Sequence, residues 1–144
     1  MEQLDLAKDT LINDNLTLCI VKDKNIIYET RKRGIYPIYK LAVNKNINLK
    51  DSFVADKVVG KAAAMFYVFL NVRNIYIDVL SKKAYEILKN NNINIVYNKK
   101  VDYIMNREKN GLCPVEKLSQ DIEKNNYKKL IKEVEKFLKK VKVI

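Results

Sequence analysis

The sequence contains no histidine, and it has only two cysteines, two prolines and three glycines. The absence of histidine removes the usual general base, the commonest metal ligand and the usual partner of a cysteine or serine nucleophile. Two cysteines without a Cys-x-x-Cys pair do not provide a disulfide framework, and zinc sites use more cysteine and histidine ligands than this chain offers. We therefore expect neither a metal nor another cofactor.

Long hydrophobic runs are also missing. The longest, Ala62 to Leu70, is well short of the about 20 residues that span a bilayer. The N-terminal residues are acidic and lack the basic start and apolar centre of a signal peptide. The sequence therefore predicts a cytoplasmic protein without a membrane segment, and a chain of 144 residues fits a single domain over residues 1–144.

Positive charge is abundant, with a formal net charge of +11. The lysines are spread along the whole chain, and the densest group lies in a predicted helix over residues 127–141 whose apolar residues recur at helical spacing. Pairs such as Lys129 with Glu133 and Glu135 with Lys139 suit one face of that helix. We interpret it as a packed amphipathic helix with a solvated basic face. Nucleic acid is not the favoured partner, although the charge leaves it open.

Patterning predicts a mixed α/β fold. The predicted helices cover residues 3–13, 37–42, 54–71, 82–90, 101–106, 115–123 and 127–141, and the predicted strands cover residues 16–21, 26–30, 75–80 and 93–97. The first two strands form a β-hairpin, and a polar loop over residues 44–51 precedes the long helix. A hairpin followed by right-handed β-α-β crossovers gives a mixed sheet covered by helices.

The stretch from Asn106 to Glu116 contains the most distinctive feature. Pro114 suits the first position of a helix, which places Cys113 at the N-cap. Free backbone N–H groups and the helix dipole favour the thiolate form there. Cys113 is therefore a candidate nucleophile, or part of an anion site. Glu116, three residues later, is expected either to complete a capping box or to act as an acid or base, and the cap is favoured.

The predicted long helix carries a second candidate site. Lys57 and Lys61 are like charges four residues apart near its start, where the helix dipole disfavours cations. Gly60 costs about 1 kcal/mol there relative to alanine. An anionic ligand near Asp56, Lys57 and Lys61 would relieve these penalties. The alternative is close helix–sheet packing at Gly60, with two solvated lysines.

These two stretches, from Ala55 to Ala64 and from Asn106 to Glu116, resemble the signature motifs of a small prokaryotic family of unknown function. The resemblance covers about residues 12–125 and implies a cytidine-deaminase-like fold, a three-layer α/β/α arrangement around a mixed sheet. Zinc deaminases carry His-x-Glu at one helix start and Pro-Cys-x-x-Cys at the next. Here the corresponding starts carry Asp56-Lys57 and Ser81-Lys82. The resemblance therefore implies a cleft without zinc ligands.

Three hypotheses follow. The first is a metal-free pocket for a small anionic or nucleotide-like ligand, in an enzyme with Cys113, Asp56 and Lys57 as catalytic residues. The predicted ligand-binding residues are Lys61, Ser81, Asn106, Arg107, Gly111 and Glu116. The second is a non-catalytic ligand-binding or protein-interaction module that has lost deaminase chemistry, with a homodimer as one form. The third, a nucleic-acid binder, depends on the charge alone.

Overall fold

A computed structural model describes residues 2–44 and 46–144. It contains a five-stranded mixed sheet and six helices. The strands are β1 (Leu18–Lys22), β2 (Asn25–Thr30), β3 (Phe53–Val59), β4 (Asn74–Ser81) and β5 (Asn94–Val101). The helices are α1 (Glu2–Asn13), α2 (Tyr36–Asn44), α3 (Lys61–Phe69), α4 (Lys82–Asn90), α5 (Pro114–Ser119) and α6 (Tyr127–Lys140). No helix among these residues is both long and apolar enough to cross a membrane.

The strands lie in the order β2-β1-β3-β4-β5. The predicted hairpin is confirmed, because β1 pairs antiparallel with β2 across a turn in which Asp23 and Lys24 adopt positive φ. Strand β1 also pairs antiparallel with β3, whereas β3, β4 and β5 are parallel. Helices α3 and α4 connect the parallel strands, as parallel pairing requires. The fold is therefore a mixed α/β fold with an open sheet.

The two faces of the sheet are covered unequally. Helix α1 alone packs on one face, where Ala7 and Leu11 contact a small cluster that includes Cys19 and Tyr76. The main core lies on the other face, beneath α2, α3, α4, α5 and α6. Cys19 is fully buried, as its apolar context predicts. Because α1 contacts β1, β3 and β4, it leaves the outer strand β5 open on its side.

The predicted long helix over residues 54–71 is wrong in its first half. Residues Phe53–Val59 form β3, in the centre of the sheet, and the helix begins only at Lys61. Val54 and Ala55 are both fully buried, one on each face. A strand buried on both faces lacks alternating polarity, so its pattern merges with that of an adjoining helix. Ser52, just before β3, donates to the Leu49 carbonyl at 2.6 Å.

Other differences are smaller. Residues 101–106 form no helix, because β5 extends to Val101 and Met105 then pairs with Leu112. The polar loop at residues 44–51 includes Lys45, which lies outside the described residues. The C-terminal helix is confirmed, with its N-cap at Asn126. On it, Glu135 pairs with Lys139 at 3.8 Å, whereas Glu133 pairs with Lys136 and not with Lys129.

The sheet predicts a stability contrast between neighbouring strands. Ile77 on β4 is fully buried in the main core, whereas Val96 on β5 is 46% exposed. Ile77→Ala should lower the free energy of unfolding by about 2–5 kcal/mol, because it removes buried methyl groups and leaves a cavity. Val96→Ala should change it by only about 0.5 kcal/mol. Urea unfolding followed by circular dichroism measures both, and equal losses would contradict the position of Ile77.

Candidate functional site

The segment after β5 forms a closed loop that folds back over the end of the sheet. Its two sides meet where Met105 pairs with Leu112, and the Asn106 N–H donates to the Gly111 carbonyl at 2.9 Å. The side chains of Asn106 and Asn110 bond at 2.9 Å, and the Asn110 N–H donates to the Asn106 side chain. Asn106 and Gly111 therefore shape this loop. Arg107 lies exposed in it.

Cys113 is the N-cap of α5, and Pro114 is at the first helical position, as the sequence predicts. The Cys113 N–H donates to the Ile104 carbonyl at 3.0 Å, which joins the two sides of the loop. The thiol is partly exposed and makes no capping hydrogen bond. Helix α5 has only six residues and ends at Ser119, not near Glu123. Neither Asp56 nor Lys57 contacts Cys113 through a hydrogen bond in the described structure.

Glu116 is the most deeply placed charged residue of this segment, with 7% of its surface exposed. One carboxylate oxygen accepts from the Ile104 N–H at 2.7 Å, and the other accepts from the Lys61 N–H at 3.3 Å. Because Lys61 is the first residue of α3, the carboxylate lies at the positive end of that helix. The predicted capping box on α5 is therefore wrong: Glu116 stabilises the start of a different helix.

Gly60 makes this contact possible. A Cβ at Gly60 would lie 2.7 Å from the Glu116 carboxylate oxygen and 3.1 Å from the Ile104 side chain. The backbone of Gly60 is extended, so any residue can adopt its conformation. The glycine is required for space and not for backbone freedom. A close contact at Gly60 is thus present, but it is made with Glu116 and Ile104 of a later segment and not between the helix and the sheet.

Whereas Glu116 of α5 lies at the start of α3, the side chain of Lys61 from α3 lies just past the end of α5. Its ammonium donates to the carbonyls of Ile122 at 2.5 Å and Gln120 at 3.3 Å, just beyond the C-terminal end of α5. Burial, together with the charge of Lys83, lowers the pKa of Lys61. Each helix end therefore receives a charge of the sign that its dipole favours: Glu116 at the start of α3, and Lys61 past the end of α5.

Asp56 and Lys57 lie on adjacent positions of β3, so their side chains point to opposite faces of the sheet. Asp56 faces the main core and accepts a short hydrogen bond from the hydroxyl of the fully buried Tyr67 on α3. Lys57 is exposed on the α1 side. The structure therefore does not bring Asp56 and Lys57 together in the way that the predicted catalytic pair requires.

The Asp56–Tyr67 pair has unusual electrostatics. Burial raises the pKa of the Asp56 carboxyl from 3.8 to about 7, although hydrogen bonds from Tyr67 and from the backbone act in the opposite direction. Burial and the neighbouring carboxylate raise the pKa of Tyr67 well above its usual range. Tyr67 thus remains a protonated donor, and Asp56 changes its charge near neutral pH. Sequence reasoning missed Tyr67, because it placed both residues on one helix.

Two cavities differ in charge. The first, of about 420 Å³, lies between α4 and residues 120–124, and its charged lining is balanced. That lining comprises Lys61, Lys83, Lys124, Glu86, Asp121 and Glu123. The second, of about 520 Å³, is a groove between α1 and the open part of the sheet, which we call the α1 groove. Its charged residues are Lys8, Lys57 and Asp78, so it carries a net positive charge.

The α1 groove gathers groups that suit a small polar ligand. The Lys8 ammonium lies 5.1 Å from the centre of the Tyr76 ring, and Asn98 donates to the Asp78 carboxylate at 3.0 Å. Within the described residues, neither Lys8 nor Lys57 forms an ion pair. Burial and the charge of Asp78 raise the pKa of Tyr76, so its hydroxyl stays a donor. Of these residues, only Lys57 was predicted, because the others become neighbours through sheet register.

The remaining predicted site residues do not gather in one pocket. Ser81, predicted as a ligand-binding residue, is fully buried, and its hydroxyl accepts from the Ala84 N–H at 3.1 Å as the N-cap of α4. Lys61 and Glu116 meet directly, and Cys113 lies on the same segment as Glu116. Over residues 2–44 and 46–144, no three His, Cys, Asp or Glu side chains gather as a metal site would need.

The fold and the site thus define an α/β protein with an open five-stranded sheet, whose α3 start is occupied by a carboxylate of its own chain. A family model described as TM1506, Domain of unknown function (DUF1893), matches residues 6–138, so the chain belongs to that family. It is similar to the crystal structure of a DUF1893 family protein (TM1506) from Thermotoga maritima at 2.70 Å resolution, with 27% identity and a TM-score of 0.82. That match covers 92% of this chain and 88% of the other. Comparison with curated proteins gave no match.

The contact between Gly60 and Glu116 predicts strong coupling. Gly60→Ala should lower the free energy of unfolding by about 1–3 kcal/mol, because the new methyl group overlaps the carboxylate. In a Glu116→Ala background the same change should cost much less, since the overlapping atoms are gone. Chemical denaturation of the wild type, the two single variants and the double variant measures the coupling between the two positions. Gly111→Ala is the control, because its nearest neighbour is 3.6 Å away, and additive losses would contradict the contact.

The raised pKa of Asp56 predicts a pH dependence of stability. The folded protein holds an extra proton between about pH 4 and pH 7, so the free energy of unfolding should fall as the pH rises through this window and level above it. Asp56→Asn should remove this contribution, which is on the order of 4 kcal/mol for a pKa raised from 3.8 to about 7. Tyr67→Phe should extend the fall in the free energy of unfolding to higher pH, because it removes a hydrogen-bond donor to the ionised Asp56 carboxylate. Urea unfolding across pH tests this, and an unchanged slope in Asp56→Asn would refute it.

Proposed function

We propose that this protein binds a small phosphorylated, nucleotide-like ligand in the α1 groove, without thiol chemistry and without a metal. The observation that carries the proposal is the pair of ammonium groups, Lys8 and Lys57, that line a cavity of about 520 Å³ without an ion-pair partner among the described residues. A volume of about 300–1,000 Å³ is typical of small-molecule sites. Unpaired lysines beside such a cavity favour an anionic ligand.

The other groups of the α1 groove suit the rest of a nucleotide. The Asp78 carboxylate, held by Asn98, can accept from ribose hydroxyls or from a base amino group. The Tyr76 hydroxyl forms no hydrogen bond within the described structure and can donate one. The Tyr76 ring lies under the Lys8 ammonium, which fixes that charge over the groove. Anion, carboxylate and hydroxyl contacts are thus available within one cavity.

Binding without thiol catalysis is favoured by the surroundings of Cys113. Its backbone closes the loop onto Ile104, and nearby Glu116 is buried against the start of α3. The carboxylate therefore takes the position at which an anionic substrate group would meet that helix. Asp56 accepts a hydrogen bond from Tyr67 and forms none with the Cys113 thiol among the described residues. This arrangement supports the non-catalytic alternative more than a thiol-dependent enzyme.

The cytidine-deaminase-like topology belongs to the same proposal. It is supported by an antiparallel hairpin, two parallel crossovers and helices on both faces of the sheet. In that interpretation the region between the starts of α3 and α4 corresponds to the deaminase cleft. Here it holds Glu116 and the Ser81 cap in place of zinc ligands. A fold shared with deaminases does not by itself imply their activity.

Calorimetric titration with nucleoside monophosphates and the matching nucleosides tests the function. At least one monophosphate should bind more tightly than its nucleoside, because Lys8 and Lys57 contact the phosphate. The double variant Lys8→Gln/Lys57→Gln should weaken binding at least about tenfold, since charge-assisted hydrogen bonds contribute about 1.5–3 kcal/mol. Lys132→Gln, an exposed lysine of α6, removes charge elsewhere and should leave the affinity unchanged.

Two outcomes would contradict the proposal. One is that no monophosphate binds at millimolar concentration, or that Lys132→Gln weakens binding as much as the double variant. The other is turnover of a bound nucleotide that Cys113→Ala abolishes, which would restore the thiol-dependent enzyme. With the proposal correct, Cys113→Ala binds like the wild type.

A further inference from the structure

A cluster of tyrosines and lysines lies where β5 meets α4, on the face of the sheet opposite the α1 groove. The rings of Tyr85 on α4 and Tyr97 on β5 pack edge to face, with centres 5.9 Å apart. The ammonium of Lys100 lies 4.5 Å from the centre of the Tyr85 ring, and that of Lys89 lies 5.9 Å from it. Tyr97 is 40% exposed. We call these four residues, together with the exposed Lys99, the β5–α4 patch.

The patch carries a net positive charge. Its three lysines form no ion pair among the described residues, and the acidic neighbour Glu86 is already paired with Lys83 at 3.4 Å. Asp102 is the acidic residue that follows β5, and it is exposed. Lys89 and Lys100 beside the Tyr85 ring, with the exposed Lys99 on the same strand as Tyr97, therefore form a surface that is complementary to a polyanion with stackable rings.

A protein strand is a poorer occupant of this edge. Strand β5 is the outermost of the sheet and has one free side, which is the usual position for strand addition. The run Asn98-Lys99-Lys100 places two positive charges within it. Charged residues, lysine above all, are the means by which sheets discourage edge-to-edge pairing. The same lysines favour contacts with phosphates.

We propose that the β5–α4 patch binds single-stranded nucleic acid, with a base stacked on Tyr97 and the backbone phosphates held by Lys89, Lys99 and Lys100. Single strands expose their bases to stacking, and every base has a face that a tyrosine ring can meet, so the site tolerates any sequence. The net charge of +11 adds long-range attraction for the polyanion. This activity goes beyond mononucleotide binding in the α1 groove and uses different residues.

The two proposed sites can be tested separately because neighbouring residues of β5 serve them. Asn98 lines the α1 groove, whereas Tyr97 contacts Tyr85 on the other face of the sheet. Variants of Tyr97 should therefore leave mononucleotide binding intact, and Lys57→Gln should leave oligonucleotide binding intact. Failure of one proposal is thereby distinguishable from failure of the other.

The experiment is fluorescence anisotropy of labelled twelve-nucleotide dT and U oligomers, titrated with the full chain at several salt concentrations. Tyr97→Ala should weaken binding about 5- to 100-fold, with little change in the salt dependence, whereas Tyr97→Phe keeps the ring and should bind like the wild type. The triple variant Lys89→Ala/Lys99→Ala/Lys100→Ala should reduce the slope of log affinity against log salt by about 2, since each phosphate contact contributes about 0.7.

A charge-matched variant of α6 is the control. Lys128→Ala/Lys132→Ala/Lys140→Ala removes the same charge from the other basic surface, and it should retain most of the affinity and most of the salt slope. An equal loss in this variant, an unchanged affinity in Tyr97→Ala, or equally tight binding of a duplex would overturn the proposal. So would an absence of binding at low salt, or a dimer that Tyr97→Ala dissociates, which would make the patch a contact between two copies of the chain.

Discussion

The buried carboxylate of Glu116 is the contact on which the end of the sheet depends. It satisfies the backbone N–H groups of Lys61 and Ile104, and it therefore joins the start of α3 to the loop that follows β5. Removing a carboxylate from water is costly unless hydrogen bonds and a favourable field compensate, and here two N–H groups and the dipole of α3 do so. Gly60 provides the space, and Lys61 completes the contact from the other side. The ends of parallel strands are where open α/β sheets usually bind ligands, and in this protein the chain itself fills part of that position.

The alternation of side chains along β3 decides which face of the sheet receives Asp56 and which receives Lys57. Adjacent residues of a strand point to opposite faces, so Asp56 enters the core beside Tyr67 while Lys57 reaches the α1 groove. The same alternation in β5 separates Asn98 from Tyr97. Two chemically distinct surfaces therefore arise from single strands, without a second domain.

Sequence patterns predicted most of the fold because most elements are amphipathic or clearly bounded. The β1–β2 hairpin and the Pro114 helix start are local signals, and both hold in the structure. Strand β3 was missed because Val54 and Ala55 are buried on opposite faces, which removes the alternating pattern that marks a strand. Lys61 and Glu116 were both predicted as ligand-binding residues, but their contact with each other joins positions 55 residues apart, which no local pattern reveals. The residues of the α1 groove come from three strands and one helix, so only the register of the sheet brings them together.

The distribution of charge follows from the unequal covering of the sheet. Three lysine–glutamate pairs occur among the described residues, all within α4 and α6. Helix α1 covers β1, β3 and β4 but not β5, and the main core occupies the opposite face. Lysines of β3 and β5 therefore face solvent without carboxylate partners among the described residues. Successive side chains of a strand alternate between its two faces, so the i,i+4 spacing that pairs charges on a helix does not apply to them. Lys57 thereby reaches the α1 groove beside Tyr76, and Lys99 and Lys100 lie near the tyrosines of α4 and β5. Helix α6 keeps unpaired lysines of its own among the described residues, at Lys128, Lys129, Lys132 and Lys140.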